Sequence, residues 1–192
     1  LDPDRDWTVR SAQAAALASL PGGQGVPRLM SLLNDRDQRV IPALLEALVT
    51  AKAPGAEKVL IERLKADDLV VRAAAANGLG ELKVTSAVPA LTEAYRATTG
   101  DSTYVPRAAM LAAINRIDPG GARPLLQEAL MDRDWAVRVR AATLMREQGF
   151  DAAAVAASMR PAPTGRPITE PERQALINPA FSPHAFIETD RG

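Results

Sequence analysis

The sequence predicts an all-α chain: a right-handed α-α superhelix, a solenoid of about five stacked helix pairs, with an extended C-terminal tail. The first observation behind this is a recurring start signal. An acidic or hydroxyl residue is followed three positions on by an apolar residue and then usually by arginine. It occurs as Asp6-Trp7-Thr8-Val9-Arg10, Asp37-Gln38-Arg39-Val40-Ile41 and Asp68-Leu69-Val70-Val71-Arg72. It returns as Thr103-Tyr104-Val105-Pro106-Arg107 and Asp134-Trp135-Ala136-Val137-Arg138. Aligned on positions 9, 40, 71, 106 and 137, the units are 31, 31, 35 and 31 residues apart. A fixed period of this size marks helical units that bury their apolar faces only by stacking. The second observation is composition: alanine is abundant and aromatics make up 4% of residues. Small side chains suit close helix–helix approach.

Within each unit, Asp6, Asp37, Asp68 and Asp134 stand where a helix begins. A carboxylate there accepts from free N–H groups of the first turn and suits the positive end of the helix dipole. Thr103 fills the same place as a neutral cap. Apolar residues then follow at helical spacing: Val9, Ala12, Leu17; Val40, Ala43, Leu48; Val71, Ala74, Leu79; Val137, Ala141, Met145. In the fourth unit Pro106 takes the valine slot, Arg107 the arginine slot and Ile114 the leucine slot. Proline is tolerated there because a first-turn N–H has no helical partner. The longer spacing before this unit reads as a loop insertion, Thr98 to Ser102.

A second set of helices lies between these, each introduced by Gly, Pro or Ser. Gly25-Val26-Pro27 leads to Leu32-Leu33, and Gly55-Ala56 to Leu60 and Leu64. Ser86 to Pro89 leads to Leu91, and Gly121 to Pro124 leads to Leu125-Leu126 and Leu130. Each unit is therefore a helical hairpin, and about ten helices are expected.

These features, D-x-x-V-R followed by an alanine-rich run and then a V-P-x-L helix, resemble a HEAT repeat. The short form found in phycobilisome lyases and many bacterial proteins is the most similar. The resemblance covers roughly Asp4 to Met159 and implies a protein-binding scaffold without catalytic residues. The second unit departs from it by placing Ile41 in the arginine slot, so an arginine ladder should be interrupted there. Unit one lacks its first helix, so Leu1 is expected to be an internal boundary of a longer parent or the position left after cleavage.

Residues 1–159 are thus read as the array and 160–184 as a Pro-rich linker, with Thr169 to Ile177 a possible short helix. Residues 185–192 form a separate segment. Ala185-Phe186-Ile187-Glu188-Thr189-Asp190-Arg191-Gly192 resembles the opening strand and turn of a cyclophilin-type peptidyl-prolyl isomerase. That resemblance implies a parent with an isomerase domain after the array; the family's catalytic residues match no position here.

Several function classes are disfavoured. Lys+Arg and Asp+Glu balance at 23 each, whereas nucleic-acid binding draws on a basic excess. No apolar run approaches the roughly 18 residues of a membrane span. There is no cysteine, hence no disulfide or thiolate metal site. His184 is the sole histidine; this excludes a His-pair metal site and disfavours a His-based triad, and His184 is read as an exposed linker residue. No cofactor is expected. Pro21 to Gly25 lacks the Lys-Ser/Thr of a phosphate loop and reads as a turn.

The arginine column, Arg10, Arg72, Arg107 and Arg138, is expected to bridge neighbouring units through Asp side chains and loop carbonyls. The competing reading is an anion-binding stripe. Trp7 and Trp135 share the slot after the cap; they either pack on the preceding turn or anchor a partner. Arg39 and Arg140 are further candidate partner contacts, and with Arg146 they would be the cations available to nucleic acid. The expected partner is a protein or peptide. Bacterial cytoplasm and periplasm suit the composition equally.

Overall fold

In the computed structural model, residues 4–161, 169–171 and 174 are described. The chain divides into two units, residues 1–160 and 161–192. The first contains ten α-helices and no strand among its described residues: α1 (Trp7–Ala18), α2 (Val26–Leu32), α3 (Ile41–Thr50), α4 (Ala56–Arg63) and α5 (Leu69–Glu81). They continue with α6 (Val88–Ala97), α7 (Val105–Ile117), α8 (Pro119–Ala129), α9 (Trp135–Glu147) and α10 (Ala152–Ser158). In the second unit Glu170, Pro171 and Gln174 are helical. His184 and the segment 185–192 lie outside the described residues, as does most of the expected linker.

The odd-numbered helices form one layer, each packed on the next from α1 to α9. The even-numbered helices cover the other side: α2 and α4 each bridge two odd helices, α6 packs on α7, α8 on α7 and α9, and α10 on α9. The valine and leucine columns run between the layers. Val40, Val71 and Val137 are fully buried, as are Leu48 and Leu79, with Ile114 and Met145 nearly so. Small residues bring the odd helices together. A Cβ on Gly80 would stand 2.9 Å from the Cα of Ala113, so α5 and α7 approach backbone to backbone.

Three odd helices end alike. Lys52, Lys83 and Gly149 adopt positive φ just past α3, α5 and α9. The next N–H then reaches back to Leu48, Leu79 and Met145 carbonyls. This satisfies carbonyls left free at a helix C-terminus.

Four details differ from the sequence reading. Val9 is 40% exposed and Ala12 is exposed. Arg10 and Ala14 take the buried places of α1, because α1 packs chiefly on α2 and the α3 side. Asp37 caps a 3-10 turn (Gln38–Val40), not α3 itself. Pro42 lacks the N–H that would bond to Gln38, so the α ladder starts only at Ile41. Thr103 lies one residue outside the cap position, which Tyr104 holds; its Oγ1 accepts from the Val105 N–H at 3.4 Å. Finally, α8 begins at Pro119, with Asp118 capping through the Gly121 N–H at 2.9 Å.

Candidate functional site

The start signals set the local geometry. Asp6 accepts from the Thr8 N–H at 2.8 Å, Asp68 from Val70 at 2.7 Å and Asp134 from Ala136 at 2.9 Å. The backbone bond from Thr8 holds the Asp6 carboxyl below its usual pKa. One turn later each arginine points back into the inter-unit loops. Arg10 Nη1 donates to the carbonyls of Asp4 and Arg5, and Arg72 Nη1 to those of Ala66 and Asp67. Arg107 Nη1 donates to Thr98 and Thr103 carbonyls, and Arg138 Nη1 to Asp132 and Arg133.

In Arg10, Arg72 and Arg107 the rest of the guanidinium meets the following unit. Arg10 grips Asp35 through Nε at 2.6 Å and Nη2 at 3.1 Å. Arg72 pairs with Asp101. Arg107 lies against Asp132, with Nε–Oδ2 at 3.2 Å and both side chains almost wholly buried. Donation from Arg10 lowers the Asp35 pKa and raises that of Arg10. Asp132 also accepts from the Tyr95 hydroxyl at 3.1 Å; burial first, then this carboxylate, pushes the Tyr95 pKa up.

The acceptors Asp35, Asp101 and Asp132 were not singled out in the sequence, although a signal exists. Each stands two positions before a start residue. In the third unit that position is Ala66, opposite the interruption at Ile41. Arginine and acid are absent together; Ile41 is fully buried instead, and Arg63 reaches the Leu33 carbonyl at 2.8 Å.

The odd layer also carries a groove of about 500 Å³ across α1, α3 and α5. Trp7 and Arg39 form one end; Pro42, Ala43, Val49, Ala74 and Gly78 give it an apolar floor, and Glu46, Asn77 and Glu81 edge it. The Arg39 guanidinium stacks 4.7 Å above the Trp7 ring centroid. Its charge is taken up by Asp37, held bidentately at 2.9 and 2.7 Å. That pairing drives the Asp37 carboxyl down to about 2. Glu46 and Glu81 are exposed and make no ion pair among the described residues, so the groove lining carries net negative charge. Trp135 is not brought to this groove. It is 49% exposed, with Arg138 5.2 Å from its ring centroid. Arg146 bonds to its own helix through Ala142 and Thr143, and Arg140 is half-buried on α9.

Among the described residues no three His, Asp or Glu side chains converge as metal ligands, and no helix is long and apolar enough to cross a membrane. Capped helices stacked at a fixed period and cross-linked by arginine–aspartate pairs define a helical-repeat protein. The model for HEAT repeats matches residues 1–76 and 26–104, and the chain belongs to that family. No curated protein matches the sequence.

Proposed function

We propose that this chain is a non-catalytic scaffold that holds a peptide segment of a partner protein along the odd-helix layer. HEAT repeats generally mediate protein–protein interaction, and stacked helix pairs present extended surfaces for it. The observation that carries the reading is the groove from Trp7 to Glu81. An aromatic anchor, an apolar floor and two unpaired carboxylates fit an extended segment with apolar residues and at least one Lys or Arg. A peptide display library panned on the chain should enrich such sequences. Trp7→Ala and the double change Glu46→Lys/Glu81→Lys should each weaken the selected peptide at least about tenfold. Enrichment of peptides indifferent to all three positions would refute the assignment.

A second reading concerns the parent. The array, to residue 159, would be followed by a linker (160–184) and by the start of a cyclophilin-type isomerase, for which the array serves as an accessory region. Support comes from Ala185–Gly192. A bacterial reading frame lacking an F-x-x-x-Q pattern in the roughly one hundred residues after Gly192 would remove it. A nucleic-acid role has less support: Arg39 is neutralised by Asp37 and Arg146 is bonded to its own helix.

A further inference from the structure

The last arginine of the column departs from the others. In Arg10 and Arg107, Nη1 serves loop carbonyls while the edge bearing Nε and Nη2 faces an aspartate of the next unit. Arg138 reproduces the first half of this arrangement, with Nη1 2.5 Å from the Asp132 carbonyl and 3.1 Å from that of Arg133. Among the described residues its Nε and Nη2 have no hydrogen-bond partner, although the residue is only 1% exposed. Nε of Arg72 and of Arg107 is also without a well-aligned bond, yet both guanidinium groups touch a carboxylate. Within the column Arg138 alone has no carboxylate among the described residues; besides the loop carbonyls it meets the Trp135 ring, 5.2 Å from its centroid.

A buried cation with two unsatisfied donors is costly, and a carboxylate on that edge would supply two charge-assisted bonds in a dry environment. We propose that the Nε/Nη2 edge of Arg138 is a carboxylate-binding site. Its ligand is an Asp or Glu side chain on a protein segment that docks against α9, as Asp35 and Asp132 dock inside the array. The form of such a segment is docked twice within the array, and a third copy, Asp4-Arg5-Asp6, precedes α1. Asp35-Arg36-Asp37 and Asp132-Arg133-Asp134 are the same tripeptide. In both, the first carboxylate also accepts the N–H of the second Asp, at 2.9 and 2.8 Å. Because water does not reach the edge, occupation requires a local opening. This site is built from α9 and the loop before it, apart from the groove over α1, α3 and α5.

The test follows the Arg138 Nε–H resonance of the full, 15N-labelled chain. The probes are acetyl-Asp-Arg-Asp-amide, its Asn-Arg-Asn counterpart, and sodium acetate at matched ionic strength. The Asp peptide should shift the resonance saturably, and the Asn peptide should leave it in place. A parallel shift with acetate would assign the site to small carboxylates as well; a silent acetate titration would assign it to the protein segment alone. Arg138→Lys keeps a charge but loses the planar fork, and should weaken the Asp peptide at least about tenfold in a variant with an unchanged helical spectrum. An unmoved resonance in the wild-type chain with every carboxylate, an equal response to the Asn peptide, or wild-type affinity in Arg138→Lys would overturn the proposal.

Discussion

The middle of the array and its first helix are written in the same pattern and reach different structures. Val71 in α5 is fully buried, whereas its counterpart Val9 in α1 is 40% exposed. Helices α3, α5 and α7 each pack between two odd-layer neighbours and against the even layer; α1 is packed by α2 and, within its own layer, by the α3 side. The helix is specified locally, by cap and spacing, but the burial of a column residue is conferred by the adjoining unit. This is the expected behaviour of a quasi-one-dimensional fold.

The largest effect should come from cutting the most enclosed inter-unit link. Asp132→Ala takes the buried carboxylate from Arg107, leaving it only the more distant Asp134 at 3.8 Å, removes the Tyr95 acceptor and frees the Asp134 N–H. A loss of about 3–5 kcal/mol is expected in urea unfolding. Next comes the valine column itself. Val71→Ala should cost about 2 kcal/mol, while Val9→Ala should stay within about 0.5 kcal/mol. Equal losses at the two sites would contradict the comparison.

Gly80→Ala tests the close approach of α5 and α7. The added methyl meets the Ala113 backbone, which cannot rotate away, so overpacking of about 1–3 kcal/mol should exceed the roughly 1 kcal/mol gained in helix propensity. Calorimetry should therefore show a lowered Tm; a raised one would mean that the helices slide apart freely.

The smallest effect concerns pH. Asp35 and Asp37 titrate below their unfolded values, held down by Arg10 and Arg39. Depressed carboxyls stabilise the fold fully above the unfolded pKa of about 4, and this contribution disappears as pH falls through the folded values, toward about 2 for Asp37. Stability should thus decline between about pH 5 and 2, and Asp35→Asn should flatten part of that decline in acid titrations followed by circular dichroism.

Much of this architecture is legible in the chain because its determinants are local. Asp6, Asp68 and Asp134 declare helix starts by bonding to residues two positions on, and the 31-residue period repeats the declaration. What escapes is set by partners distant in sequence. The acids that receive Arg10, Arg72 and Arg107 lie 25 or 29 residues away, and only the joint absence of arginine and acid at Ile41 and Ala66 hints at the pairing. The groove is less visible still, since Trp7, Glu46 and Glu81 come from three different helical elements and share no motif. Pro42 shows the opposite failure: a local residue reshapes the start of α3 although the unit keeps its Asp37 cap and buried Val40.

The central claim, that the odd layer is the recognition face, is tested most directly by amide shift mapping with a library-selected basic peptide. Perturbations should concentrate at Trp7, Ala43, Glu46, Asn77 and Glu81. A footprint on α2, α4 and α6 with those five amides unmoved would contradict it.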